Sequence, residues 1–487
     1  MTDNTTPTDE TPTDGPTAST DWPPADGSHP LADRLATHTV SLDTTDPTAE
    51  LTDLRPFADR LHGARVVGLG EATHGTREFF QLKHRLVRLL VEELGYRVFA
   101  LEANFAETLA IDEYVVHGDG DPKAALDGIY FWTWDTEEVL ALVEWLREFN
   151  EGRPLADRVR FYGVDAQFTA GPAAALTDFF AERDPAVLDG HRETLETLAE
   201  EGIEVDEAPT DVVASQLAAA EALVETLDDW FERETVGEDR PVALARRQLR
   251  TLEQTVESAR AGHEDGLEAK ARRRDRAMAD NLGWILDHEP HDRVAVWAHD
   301  AHLQRDARDE HWGTGTPMGA HLAERYGDDY YALGFDFAEG EFQALDASEG
   351  NELRACSLGP PPENAATRLF ASVDDPLWVL DFDAVTDDER LADYFAEPRA
   401  VRSLGAIYDP DDEHDRLHDE FRLPRAFDGL VFVAPASSRR RRRARRTPAA
   451  VGTRRGAARA RHRGRISRRA TGPPSVPRSS PPVARRP

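Results

Sequence analysis

Seven short runs rich in β-branched and aromatic residues punctuate this chain: ARVVGLG (64–70), YRVFALE (96–102), VRFYGVD (159–165), DRVAVWAH (292–299), YYALGFDF (330–337), PLWVLDF (376–382) and DGLVFVA (428–434). Their apolar character is nearly continuous, so as strands they need cover on both faces. Between the first two runs, EFFQLKHRLVRLLVEEL places apolar residues at 79, 82, 86, 89, 90 and 94, which is helical spacing. Strands alternating with helices in this way predict an α/β fold with a mainly parallel central sheet covered by helices.

The strand signal stops after the third run. Segments such as DVVASQLAAAEALVETLDDWFERE and PVALARRQLRTLEQTVESARA read as amphipathic helices with acidic outer faces. A helical insertion over about 172–270 is therefore expected within a domain spanning 36–436. Residues 1–35, rich in Thr, Pro and Asp, read as a disordered acidic tail, because so few apolar groups cannot repay the entropy of ordering.

Residues 437–487 reverse the composition, with 18 Arg and no Asp, Glu or Lys. They read as a disordered tail, and two origins fit: a basic nucleic-acid arm, or translation of a GC-rich gene in a shifted frame. The formal net charge of the chain is −35, and without that tail the body carries about −53. Acid spread over the whole body suits a protein kept soluble in concentrated salt, so a halophilic cytoplasm is expected. The same acidity argues against nucleic acid or an anionic membrane as a partner. Cys356 is the only cysteine, which excludes an intrachain disulfide and a thiolate metal cage. The chain shows no signal-peptide pattern and no run of 18 apolar residues.

In open parallel sheets ligands bind beyond the carboxyl ends of the strands. Four of the runs end in ionisable groups: Glu71 and His74 after the first, Glu102 on the second, Asp165 on the third, and His299 with His302 after the fourth. Parallel strands bring these groups to one edge. Gly70 and Gly75 flank the first pair and let the chain turn sharply there. An imidazole beside a carboxylate is suited to activating water, so His74 with Glu71 or Glu102 is the candidate base. His299 is the candidate for protonating the leaving group or polarising the carbonyl. No GxSxG elbow occurs, which favours water over a side chain as the attacking group. Lys83 and Arg274 are candidate supporting cations, Asp275 lies beside Arg274, and Trp132 and Trp134 are candidates for lining a pocket or the core. The same imidazoles and carboxylates are legitimate ligands for a divalent metal, which leaves a metal-dependent hydrolase or metal-binding protein as the alternative.

With these residues in view, the chain resembles the erythromycin esterase family. The resemblance rests on GLGEATHGTREFF, VFALEANF, FYGVD, RDRAMADNLGWIL, VWAHDAHLQRD and PMGAHLAERYGDDYYALGF, in that order, between Val66 and Phe335. It implies hydrolysis of an ester or macrolide lactone by an activated water without a metal cofactor, and a role in the response to antibiotic. It also implies that His74 is the general base, that Glu71 and Glu102 are the acidic residues of the site, and that His299 and His302 are the paired histidines of its AHxxH segment. A basic residue that is often arginine in those enzymes falls on Lys83. The expected partner is a small-molecule ester or lactone.

Overall fold

A computed structural model of the chain describes residues 29–203, 209–233, 239–306, 315–410 and 418–438. Residues 1–28 and 439–487, which hold most of both expected tails, lie outside the described residues. The strands in chain order are β1 (Thr39–Ser41), β2 (Val66–Leu69), β3 (Val98–Asn104), β4 (Arg160–Asp165), β5 (Val294–Trp297), β6 (Tyr330–Phe337), β7 (Gly340–Asp346), β8 (Glu352–Leu358), β9 (Leu377–Asp381), β10 (Arg399–Arg402), β11 (Ile407–Tyr408), β12 (His418–Phe421) and β13 (Gly429–Val433).

Eight of them form one sheet in the order β1-β9-β13-β6-β2-β5-β3-β4. The pairs from β13 to β4 are all parallel, and only β9, antiparallel to both β13 and β1, runs the other way. The fold is thus α/β with a mainly parallel central sheet, and the seven apolar runs supply seven of its strands. The eighth, β1, is a short Thr-Val-Ser edge strand. Two smaller sheets, β11-β7-β8 and β10-β12, lie outside the expectation.

Alternation along each strand explains how one sheet is covered twice. Val67, Leu69, Phe99, Leu101 and Trp297 enter one apolar cluster with Phe79, Leu82 and Leu86 of the helix Arg77–Glu92. Their neighbours Val66, Val98, Ala100, Val294 and Val296 enter the other, with Met278, Leu282 and Ile285. A period of two thus feeds opposite faces from each strand.

Between β4 and β5 the chain is helical: Ala170–Arg183, Arg192–Glu200, Thr210–Arg233, Arg240–Asp265 and Leu267–His288. The first four enclose an apolar cluster of their own, including Phe180, Leu217, Leu227 and Leu252. The last returns to the sheet, so the helical stretch runs past 270 to His288. Asp239 starts the fourth of these helices by accepting from the Val242 N–H, which satisfies one of the donors that a helix start leaves unpaired.

Two boundaries shift. Ala32–Ala36 is a helix with Leu35 fully buried, so part of the expected N-terminal tail packs on the domain. Three apolar residues, Leu31, Ala32 and Leu35, share one helical face and pack on the core. At the other end Ser437 is tied to the helix Arg77–Glu92: its N–H donates to Glu78 Oε2 at 2.8 Å, its hydroxyl donates to Glu78 Oε1, and its carbonyl accepts from the Arg77 N–H at 2.9 Å. The domain therefore extends past Ala436. No helix among the described residues is long and apolar enough to cross a membrane.

Candidate functional site

The carboxyl ends of β2, β5, β3 and β4 lie side by side, and the ionisable groups at those ends form two hydrogen-bonded sets. In the first, Glu71 is fully buried one turn of loop before His74. His74 Nδ1 stands 2.5 Å from Glu71 Oε1. The other carboxylate oxygen accepts from Trp297 Nε1 at 2.9 Å and from the Lys83 ammonium. Burial alone would push the Glu71 carboxyl up, but Lys83 and His74 overcome it and hold the pKa down at about 2. Glu71 is therefore a carboxylate, and an Nδ1–H donated to it leaves His74 Nε2 as the free nitrogen.

Lys83 is fully buried and lies 4.0 Å from the centroid of the Trp297 ring. Burial lowers its pKa to about 8 against the opposing pull of Glu71. Lys83, a candidate supporting cation, stands behind Glu71 and does not line the cavity.

The second set is built on Arg274, which rises from the helix Leu267–His288. Its Nη2 donates to Glu102 Oε1 at 2.6 Å and to Asp165 Oδ2 at 2.8 Å, while Nε reaches both Asp165 oxygens at 3.1 Å. Asp165 is completed by Gln167 Nε2 and the Ala166 N–H. It serves as the anchor of the guanidinium, and it does not line the cavity. Glu102 is buried, which opposes its charge, but His302, Arg274 and His74 hold its carboxyl well below the usual range.

His302 Nδ1 lies 2.8 Å from Asp275 Oδ1, and Nε2 lies 3.3 Å from Glu102 Oε1. Burial disfavours an imidazolium there, but the two carboxylates win and push its pKa up to about 10. Arg274 Nη1, 3.0 Å from Nε2, opposes that charge, yet its own charge is met by Asp165 and Glu102. Nε2 thus has an acceptor when protonated and a donor when not.

His299 joins the two sets. Its N–H donates to Glu102 Oε2 at 2.8 Å, and its ring centroid is 5.0 Å from that of His74. Both ring nitrogens are occupied by backbone: Nδ1 accepts from the Ala301 N–H at 3.1 Å, so Nε2 carries the proton and donates to the Leu404 carbonyl at 3.1 Å. Burial holds the ring neutral, with its pKa lowered to about 3. This arrangement opposes the expectation that His299 delivers a proton, since that nitrogen already donates to the main chain.

His74, Glu102, Arg274, His299 and His302 line a cavity of about 320 Å³ together with Trp134 and Phe131. Trp134 is both core and wall: it is buried, and its Nε1 donates to the Glu102 carbonyl at 3.0 Å. Ser403, Gly405, Ala406 and Asp419 also line the cavity. Nothing in their sequence marked them: the first three lie in the turn between β10 and β11, and Asp419 lies on the short strand β12. Trp297 was also missed, although a buried indole needs an acceptor and a strand end rich in carboxylates offers one.

The loop from Gly70 to Thr76 is braced from outside. Gly75 O accepts from the Gln343 N–H at 3.2 Å, and Ala72 O accepts from the Leu404 N–H at 2.7 Å. A Cβ on Gly75 would stand 2.0 Å from the Gln343 carbonyl oxygen, and one on Gly70 would stand 1.8 Å from Asp300 Oδ1. These glycines are required by close approach rather than by an unusual backbone conformation. Among the described residues no group of three or more His, Cys, Asp or Glu is arranged to hold a metal ion. Glu102 and Asp165 are occupied by Arg274 instead, so the metal-dependent alternative lacks a centre.

A family model for erythromycin esterase matches residues 91–435. The match takes in Glu102, Asp165, Arg274, His299 and His302 and starts after Glu71, His74 and Lys83. Erythromycin esterase type II from Escherichia coli is 24% identical over 422 residues, which cover 80% of this chain and 94% of that protein. A crystal structure of a Bacillus cereus protein is similar at a TM-score of 0.74 and 25% identity, over 85% of this chain and 98% of the other. A mutant of the erythromycin esterase EreC in its open conformation is similar in fold, with a TM-score of 0.58 at 19% identity over 81% of this chain and 97% of that one.

Proposed function

The chain belongs to the erythromycin esterase family, whose members are hydrolases acting on ester bonds, and on that basis we propose that it hydrolyses a carboxylic ester or macrolide lactone through water activated by His74. The observation that carries this reading is the 2.5 Å contact between Glu71 and His74 Nδ1, which leaves Nε2 of a cavity-lining histidine free to take a proton.

As a water oxygen bonds to the ester carbonyl carbon, one of its protons passes to His74 Nε2 and the carbonyl becomes an oxyanion. Glu71 stabilises the imidazolium formed. Arg274 and protonated His302 carry the positive charge on this cavity, and they face the developing oxyanion. Collapse breaks the bond to the alcohol, whose oxygen takes the proton back from His74 Nε2.

The test is acid release from a panel of p-nitrophenyl esters and macrocyclic lactones in concentrated potassium chloride. His74→Ala is expected to lower kcat/KM by at least about a hundredfold, and a chelator is expected to change nothing. A mutant as active as the wild type would remove His74 from this role, and chelator-sensitive turnover would return the metal reading. Lactone opening would also confer macrolide tolerance on an expressing host, which His74→Ala would abolish.

A further inference from the structure

The apolar run that forms β6 closes on a carboxyl that the mechanism does not use. Asp336 is fully buried, near the carboxyl end of a strand that lies beside β2 and parallel to it. Its oxygens draw together three segments of chain. Oδ1 accepts from the Phe337 N–H at 2.9 Å and from the Arg402 N–H at 3.2 Å, while Oδ2 accepts from the Thr367 hydroxyl at 2.6 Å. Thr367 is itself fully buried, on the short helix Ala366–Phe370. Burial pushes the Asp336 carboxyl up to about 7 against the pull of Thr367 and Arg402. An apolar side chain would fill the same space at lower cost.

Arg402 closes β10, and the residues after it reach the reactive cavity. Ser403, Gly405 and Ala406 line that cavity. Leu404 bonds on two sides: its N–H donates to the Ala72 carbonyl at 2.7 Å, and its carbonyl accepts from His299 Nε2 at 3.1 Å. The far end of the segment is fixed by the Ala406 carbonyl, which accepts from the Leu345 N–H at 2.9 Å. At the near end the Arg402 guanidinium donates to the carbonyls of Ala338 and Gly359 at 3.0 and 2.6 Å, and Asp336 holds the main chain. Asp336 does not line the cavity, so any effect it has on the reaction passes through this segment.

We propose that Asp336 is a positioning residue: by accepting from the Arg402 N–H it seats residues 403–406 on the reactive cavity, and through the Leu404 carbonyl it keeps the proton of His299 on Nε2. The inference rests on the hydrolase reading for its kinetic consequence alone. An asparagine at this position retains a carbonyl oxygen for both N–H groups, and its amide donates to the Thr367 oxygen. An alanine leaves both N–H groups and the hydroxyl without that acceptor. A displacement of about 1 Å transmitted from outside the chemistry can cost about a hundredfold in rate.

The experiment compares full-length wild type, Asp336→Ala, Asp336→Asn and Thr367→Val, each carrying isotope-labelled histidine and held well below its melting midpoint, by NMR and by hydrolysis of a p-nitrophenyl ester. The His299 Nε2–H, buried and donated to a carbonyl, is expected to give a proton signal that persists in water and is absent from His299→Asn. Asp336→Ala is expected to speed exchange of that proton, and to lower kcat/KM, at least about tenfold each. Asp336→Asn should stay within about threefold of the wild type in both. A folded Asp336→Ala protein that matches the wild type in either readout overturns the proposal, as does an asparagine variant no better than the alanine one. Should the alanine variant fail to fold, Thr367→Val, which leaves Oδ2 without its donor, is expected to speed the exchange at least about threefold, and an unchanged rate there overturns the proposal instead. A wild type that releases no acid from any ester removes the hydrolase reading, and the exchange rate then decides alone whether Asp336 seats the segment.

Discussion

His74 Nδ1 lies 2.5 Å from a Glu71 carboxylate that burial cannot neutralise, because Lys83 holds its other oxygen. The orientation of the ring is thus set from behind, by groups that do not line the cavity.

Glu71→Gln keeps a carbonyl oxygen able to accept from Nδ1 but removes the charge that favours the imidazolium. The difference between a charged and a neutral hydrogen bond is about 1–2 kcal/mol, so kcat should fall roughly five- to thirtyfold with KM nearly unchanged. Steady-state kinetics on a single ester would check it, and a pure KM effect would contradict the assignment.

Lys83→Met leaves Glu71 buried beside His74 and Trp297 without its ammonium. Breaking a buried pair by removing one partner typically costs about 3–5 kcal/mol. Urea denaturation in concentrated potassium chloride should show a lowered midpoint, and a midpoint equal to the wild type would mean that Glu71 can be protonated at little cost.

Gly75→Ala tests the brace on the base loop. The added Cβ would meet Gln343 backbone atoms at 2.0 and 2.3 Å, and main chain on both sides cannot yield cheaply. Overpacking of this kind costs about 1–3 kcal/mol, and because the loop carries His74, turnover should fall even in folded protein. Activity at wild-type level would show that the β7–β8 hairpin moves aside.

His302 gives a pH dependence with a definite sign. Its folded pKa, raised to about 10, lies above its ordinary value of 6.5. Its bonds to Asp275 and Glu102 therefore contribute fully below about pH 6.5 and are lost as pH rises through about 10. Thermal melts between those limits should decline more steeply for the wild type than for His302→Gln, and parallel curves would contradict the ion pairing.

Ending the chain after Ala436 removes all three bonds made by Ser437 and leaves the Glu78 carboxyl, already pushed up by burial, without its donors. A chain ending after Ser438 should be more stable than one ending after Ala436 by about 1–3 kcal/mol. Equal denaturation midpoints would show that these contacts contribute nothing.

Much of the sheet was legible because parallel strands buried on both faces must be apolar throughout, as VVGL and GLVFV are. β1 was not, being three residues at an antiparallel edge, and the half-exposed GEFQALD of β7 carries only weak alternation. At the site, sequence placed Glu71, His74, Glu102, Asp165, His299 and His302 at neighbouring strand ends, and topology brings those ends together. It misplaced the duty of His299 for a physical reason. The partners that fix it are the Leu404 carbonyl and the Ala301 N–H, and backbone partners leave no residue type to read.

The brace on the base loop has a consequence for the making of the protein. Its supports, Gln343 and Leu404, both follow residue 340, while the loop they hold is complete by Thr76. A chain emerging from the ribosome N-terminus first carries its base long before it carries the brace that holds the base loop. Premature stops before Leu404 should therefore yield fragments whose base loop lacks its full brace, and the newly made enzyme should stay silent until that late segment has docked.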